Sequence, residues 1–456
     1  MQNTLERPSV SLSTTPLQTD CAVMARAHFM VPEAARILKR FMLLQREIVL
    51  QQSGWLPGSQ HWNSKLLTPE FAWQDALIAA QCRERVLELR YPERDIDASE
   101  EEPLLRLWRH FADAPHGVAY VEGLRLVVKP LLREAFERYQ RLTDSLDDGP
   151  TIRILRQAVE DIDEQLNRWA PAARDAQTAF PDQWETAQLW VGGARALAES
   201  IGDLLDTERV CSENFDPTPW GGKAFQIARL AQRDPRYRVL KFGWPDSLDP
   251  AFGAGEEMQL QIRQGVHHAN EMWAAEMAAA CIYDLADEGG PEFLADAARW
   301  CYDEIRHCRM GCARLAAWGF EPSDIPIGTF SYDAGAHADA LTRLGIIFYF
   351  ESTYIGTKSQ RMKYFGEFGD PLSAHDMDFD WADEQIHTHY GTRWLKFFLE
   401  KCGDPRKPIA FRAVSESCIA QIRAQATPED RQDTLDAFDH MMQRAHELAL
   451  ATKSKL

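Results

Sequence analysis

Residues 303–315 read DEIRHCRMGCARL, and residues 383–395 read DEQIHTHYGTRWL. Superposed at an offset of 80 residues, they share Asp-Glu-x-x-His-x-x-x-Gly-x-x-x-Leu: Asp303, Glu304, His307, Gly311 and Leu315 against Asp383, Glu384, His387, Gly391 and Leu395. These are the only two Glu-x-x-His motifs in the chain. Residues three apart on a helix share a face, so each motif presents a carboxylate and an imidazole together. One such pair arises by chance in a chain of this size; the repeat is what carries weight. Each motif glutamate also has another glutamate 33 residues upstream, Glu271 for the first and Glu351 for the second. The unit helix–Glu–turn–helix–Glu-x-x-His therefore occurs twice, as a tandem duplication of two-helix hairpins.

Two antiparallel helices joined by a short turn bring mid-helix residues about 30 positions apart to one height, because a helix rises about 1.5 Å per residue. Two such hairpins packed face to face aim four carboxylates and two histidines at one interior point. Met272 and Trp273 around Glu271, and Phe348, Tyr349 and Phe350 around Glu351, predict burial. Buried carboxylates without counter-charge must protonate or bind cations. A pair of divalent or trivalent metals resolves that conflict.

Helical patterns extend outward from these hairpins in both directions. The periodicity predicts helices near 31–53, 68–90, 115–145, 150–170 and 183–205, then four near 256–287, 291–318, 336–368 and 372–402, and two more near 409–425 and 427–451. Gly289-Gly290-Pro291 closes one helix and opens the next, with proline at a helix start where its missing N–H costs nothing. Strand alternation is nearly absent; Tyr237 to Trp244 is the best short candidate. The expected organisation is a flexible polar tail (1–30), an N-terminal helical region (31–205), a Pro/Gly-rich connector (206–255), a helical bundle (256–402) and C-terminal helices packing on it (403–456). The fold class is all-α.

Composition sets the outer bounds. The 456 residues are 45% hydrophobic and 26% charged, which excludes a chain disordered throughout. With 50 Lys+Arg against 69 Asp+Glu, the net charge of −19 offers no bulk attraction to phosphate backbones or anionic lipid. Apolar runs such as Leu344 to Phe350 are far shorter than a membrane span of roughly 18 residues. The polar N-terminus is no secretory signal, and nine scattered cysteines without CxxC spacing favour a reducing compartment. No nucleic acid, no membrane and a cytoplasmic address are the expectations.

Glu271, Glu304-x-x-His307, Glu351 and Glu384-x-x-His387 resemble the ligand set of the ferritin-like diiron-carboxylate superfamily. More narrowly, the repeated motif followed by Arg393-Trp394-Leu395 resembles an uncharacterised ferritin-like domain-of-unknown-function family. The resemblance covers about 256–402 and implies a ferritin-like four-helix bundle with an additional N-terminal helical region. It implies Glu304 and Glu384 as bridging carboxylates, Glu271 and Glu351 as terminal ligands, and one histidine per metal. Mixed oxygen and nitrogen donors suit two Fe ions, or a Mn/Fe pair, with O2 as co-substrate. The expected function is that of a diiron-carboxylate oxygenase or oxidase on a small-molecule substrate, by hydroxylation, N-oxygenation or oxidative cleavage, with no catalytic residues beyond the metal ligands. No flavin or nicotinamide fingerprint is present, so a separate electron donor, or the substrate itself, supplies the electrons. A ferroxidase or metal-handling protein, and a helical scaffold with structural or lost metal, are the alternatives. The N-terminal region packs on the bundle, covers the site or forms a homo-oligomer interface.

Several neighbours compete for roles. Glu276, His267 and His268 lie near Glu271, but the 33-residue offset selects Glu271. Asp303 and Asp383 either orient the histidines or form a solvated acidic face. Tyr349 and Tyr354 flank Glu351 and read foremost as core packing; Cys301, Cys308 and Cys312 read as small buried residues. Glu134 with Glu164-x-x-Asn167 has the look of a worn copy of the hairpin.

Overall fold

The computed structural model describes residues 28–208 and 214–453. Most of the expected tail, 1–27, lies outside the described residues. What is described is all-helical apart from two three-residue strands.

In the first half, α1 (Val31–Trp55), α2 (Trp62–Glu88), α3 (Glu102–Arg109), α4 (Gly117–Gly123), α5 (Lys129–Leu142), α6 (Gly149–Ala179) and α7 (Pro181–Ile201) enclose an apolar core of their own. Sequence periodicity does not anticipate α3. The helix expected over 115–145 is divided into α4 and α5 by a π-turn at Leu124–Val128. Pro130 accounts for this, since it has no N–H and its ring crowds the carbonyl one turn back. Pro69 and Pro171, which the pattern places at helix ends, lie inside α2 and α6. Beside them Phe71 and Trp169 are fully buried and meet edge to face at 4.8 Å, a tertiary contact that offsets part of the local cost of about 3 kcal/mol.

The connector's strand signal becomes β1 (Arg238–Leu240), and the second half follows as α8 (Glu257–Asn270), α9 (Met272–Trp318), β2 (Pro326–Gly328), α10 (Ala340–Phe368), α11 (Pro371–Cys402), α12 (Phe411–Ala424) and α13 (Pro428–Lys453). Gly290, at φ 72° and ψ −169°, breaks α9 so that 291–318 returns along 272–289 and α8. The Cys301 and Cys308 thiols donate to the carbonyls of Ala275 and Ala269 at 3.2 Å, across this first hairpin. The second hairpin, α10 and α11, turns at Gly369 in the left-handed region (φ 86°). Asp370 then caps α11 by accepting from the Ser373 N–H at 3.0 Å.

The repeated glycines explain themselves at this level. A Cβ on Gly311 would fall onto the Ala269 backbone nitrogen and within 2.6 Å of the Gly265 carbonyl oxygen. A Cβ on Gly391 would lie 2.5 Å from the Phe348 ring. One turn beyond each histidine, the chain thus needs a residue without a side chain so that the arms of a hairpin can close.

One expectation needs correcting: Glu271 is not mid-way along an unbroken helix over 256–287. It sits at the junction of α8 and α9, with ψ −1° and its N–H bonded to the His268 carbonyl in a tightened turn. Asn270 holds the break. Its amide donates to the carbonyls of Val266 (2.8 Å) and Pro326 (2.9 Å), and its oxygen accepts from the Gly328 N–H (2.6 Å). β2 pairs in parallel with β1, so the small sheet braces the kink that sets Glu271.

The N-terminal helices dock on the second arm of α9. Trp73 stacks on Tyr302 at 5.0 Å, and Glu70 accepts from both Arg168 (2.6 Å) and Arg309 (2.7 Å). Deeper in, Glu276 is fully buried between Arg233 of the connector (2.6 Å) and Lys65 of α2 (2.5 Å), which removes it as a rival to Glu271. No helix among the described residues is long and apolar enough to cross a membrane.

Gly311→Ala should destabilise the protein by about 1–3 kcal/mol or more, because its neighbours are backbone that cannot rotate away. Gly356→Ala, where a Cβ meets nothing within 4 Å, should instead stabilise by up to about 1 kcal/mol through helix propensity. Urea unfolding followed by circular dichroism checks both; equal and opposite-to-expected shifts would refute the close-approach reading.

Candidate metal centre

All six residues singled out by the repeat come together inside the two hairpins. Glu304, Glu351, Glu384 and His387 offer ligand atoms within 4.8 Å of one another, and Glu271, Glu304 and His307 form a second such group. Glu304 is common to both. Glu384 also belongs to a third group with His307 and Asp380, so the two motif glutamates are the residues shared between the two histidines. His307 Nδ1 lies 3.3 Å from Glu271 and 3.6 Å from Glu304; His387 Nδ1 lies 3.0 Å from Glu304 and 3.7 Å from Glu384. Both imidazoles are 0% exposed, and Glu304, Glu351 and Glu384 are buried as well. Glu271 is the most open, at 19% side-chain exposure, because the kink turns it toward a cavity.

The motif aspartates act crosswise. Asp383 of the second motif takes the Nε2 of His307 at 3.2 Å, and Asp303 of the first lies 3.5 Å from the Nε2 of His387. Arg306 bridges the two aspartates, and Arg299 donates to Asp303 at 2.8 Å. Of the two roles open to these aspartates, the structure selects the one behind the histidines. At His307 the Asp383 carboxylate on the outer nitrogen fixes the tautomer so that the inner nitrogen carries a lone pair, the arrangement usual for metal-binding histidines, whereas Asp303 lies beside His387 Nε2 without a hydrogen bond.

The inner atoms lack partners. Glu271 Oε2, Glu384 Oε2, His307 Nδ1 and His387 Nδ1 are buried without a hydrogen bond, which is costly for polar atoms unless something else occupies the space between them. Oxygen and imidazole donors of this kind fit iron or manganese, and no cysteine among the described residues joins the groups. Without metal, protons hold the charge. Burial works against an imidazolium, yet Asp380, Asp383, Glu271 and Glu304 hold His307 well above the usual histidine range. His387 is raised likewise, against burial, by Asp303, Glu304 and Glu384. Burial, then the charges of Glu304 and Glu384, push Glu351 well above the usual carboxylate range.

Two further charged residues escaped the repeat. Asp380, one turn before Glu384 and fully buried, lies 3.6 Å from His307 Nδ1 and 3.2 Å from His268 Nε2. Lys358, two turns after Glu351, places its Nζ 2.5 Å from both Asp380 and Glu384. A signal for Asp380 did exist, since Asp380, Glu384 and His387 form an i, i+4, i+7 stripe. It breaks the duplication, because the matching position in the first motif is Trp300, whose indole donates to Glu304 at 3.2 Å and stacks on His387. His268 is tied to Arg314 (2.7 Å) but also offers a ligand atom within 4.8 Å of Glu271 and Asp380, whereas His267 is tied to Asp246 (3.1 Å). His389 is exposed. Tyr349 donates to Glu416 at 3.4 Å, and the Tyr354 side chain lies outside the described residues. Glu134, Glu164 and Asn167 are exposed on α5 and α6 and form no cluster.

A cavity of about 360 Å³ opens onto Glu271, Glu304, Glu351 and Glu384. Trp244 and Phe252 of the connector, Trp273 and Phe350 of the hairpins, and Phe330 form its apolar wall. Its size is within the range of small-molecule sites.

Fold and site together define an all-helical protein with a buried cluster of carboxylates and histidines of metal-ligating geometry. Residues 250–435 match a family model described as "Protein of unknown function (DUF455)", a stretch that contains every residue of the cluster. Neither the curated proteins nor the solved structures searched gave a match.

Asp383→Asn should weaken metal binding by about 10–100-fold while leaving all six inner residues in place. Competition against a chromophoric chelator measures this; unchanged affinity would mean that the crosswise contact does not set the His307 orientation.

Proposed function

We propose that 256–402 forms a ferritin-like four-helix bundle holding two metal ions, and that the protein is an O2-activating non-haem diiron oxidoreductase acting on a small organic substrate. One observation carries the reading: the buried, unpartnered Nδ1 atoms of His307 and His387 face carboxylates of which Glu304 and Glu384 are common to both histidines. Charge supports it. Two divalent cations together with the Lys358 ammonium balance Glu271, Glu304, Glu351, Glu384 and Asp380, a set of carboxylates too costly to bury ionised without cations.

Iron, or a manganese–iron pair, would supply O2 activation and the oxidising equivalents for hydroxylation, N-oxygenation or oxidative cleavage. The chain's residues do the rest. Asp303 and Asp383 orient the imidazoles, and Lys358 Nζ donates to Asp380 and Glu384 and fixes their rotamers. The connector segment carrying Trp244 and Phe252 supplies part of the cavity's apolar wall. Electrons come from a separate donor or from the substrate.

The cavity favours this reading over a ferroxidase, which needs no shaped apolar pocket beside its metals. Protein produced with iron and manganese both available should carry about two transition-metal ions per chain by plasma mass spectrometry. Glu304→Ala and His387→Ala should each lose the pair while keeping their helix content by circular dichroism. Full occupancy in both variants would sink the ligand assignment. Near-zero metal in the parent protein, with failed Fe(II) reconstitution, would leave a helical scaffold without redox chemistry.

A further inference from the structure

Beside the carboxylates, the cavity carries two guanidinium groups that the metal centre does not use. Arg263 of α8 is 8% exposed. Its Nε and Nη2 are satisfied by Asp246 at 2.7 and 2.5 Å, but Nη1 is buried without any hydrogen-bond partner. Arg361 of α10 donates to Gln264 at 2.8 Å and makes no ion pair among the described residues. Both guanidinium groups line the cavity, as does His267, which shares Asp246 with Arg263.

A guanidinium N–H buried without an acceptor costs about 1–3 kcal/mol, more for a charged group. Two guanidinium groups near one another add repulsion; Asp246, Asp380 and Glu271 offset part of it for Arg361, but none of them forms an ion pair with it among the described residues. Burial, followed by the charge of Arg263, draws Arg361 down to about 10. Arginine is kept charged at such a place where a planar oxyanion is bound through paired N–H donors. Glu271, Glu304, Glu351 and Glu384 line the cavity as well, which gives the site an anionic and a cationic part.

We propose that the cavity binds a small organic acid, its carboxylate or phosphate held by Arg263 Nη1 and the Arg361 guanidinium, its apolar body against Trp244, Trp273, Phe330 and Phe350. The acid is thereby oriented with its anionic end away from Glu271 and Glu351 and its opposite end toward the cluster. This rests on the metal-centre reading for the identity of the reacting end only; the anion site stands on the two arginines and the cavity.

Calorimetric titration of the full-length protein with benzoate, phenyl phosphate and the neutral isostere benzamide tests the idea, with metal content measured on the same samples. At least one anion should bind about tenfold or more tightly than benzamide, and benzoate against phenyl phosphate separates a carboxylate from a phosphate ligand. Arg361→Gln, which leaves no buried carboxylate unpaired, should lose about tenfold in anion affinity at unchanged metal content and helix content, and Arg361→Lys should restore part of it. Equal binding of benzamide, anion binding unaffected by Arg361→Gln, or no anion binding up to millimolar concentration would each overturn the proposal. Arginine-dependent anion binding in protein that holds no metal and takes up none on Fe(II) reconstitution would uphold the anion site and refute the diiron reading, so the two fail separately.

Discussion

An ionised carboxylate is costly to remove from water, and the structure places Glu304, Glu384 and Asp380 where they are almost fully buried. The surrounding architecture follows from making that burial tolerable. Each carboxylate faces an imidazole, an ammonium or a guanidinium, and the helices that carry them must approach closely enough for the contacts to form. Gly311 and Gly391 permit that approach. The aspartate–arginine layer of Asp303, Asp383, Arg299 and Arg306 supplies the next ring of charge compensation. Beyond it, Trp73 and Glu70 of α2 cover the outer face of α9.

Much of this was legible in the sequence, and for a physical reason. A helical hairpin that aims two carboxylates and a histidine inward leaves a fixed register, and a duplication writes that register twice. Helix boundaries at Gly290, Gly369 and Gly403 were readable because a left-handed backbone demands glycine. Less readable were features set by long-range contact. The kink at Glu271 depends on Asn270 reaching Pro326 and Gly328, 56 and 58 residues away, which no local pattern encodes. Helices running through Pro69 and Pro171 depend on the packing of Phe71 against Trp169. Asp380 and Lys358 stand outside the duplicated register, because the first hairpin carries Trp300 and Ala278 at the matching positions.

That departure gives the site a direction. Trp300 fills one end of the pseudo-symmetric core, stacked on His387. At the matching position of the other half, Asp380 and Lys358 stand beside His307. One side of the cluster is thus sealed by an indole, while the cavity with its arginines opens elsewhere, along Glu271 and Glu351. A duplicated scaffold becomes a site with a closed back and an open front through substitutions at a handful of positions.

The crosswise aspartates also bear on how the protein is made. His307 leaves the ribosome with its own Asp303 four positions earlier, but the carboxylate that orients it, Asp383, is synthesised 76 residues later. At about 5–20 residues per second, the first motif waits roughly 4–15 s for its partner. During that interval the first hairpin can fold as helices, yet His307 lacks the neighbour that aims its inner nitrogen. The cluster geometry is therefore withheld from the nascent chain until the second hairpin has been translated and docked, so that a half-made protein holds only half of the converging carboxylates and imidazoles.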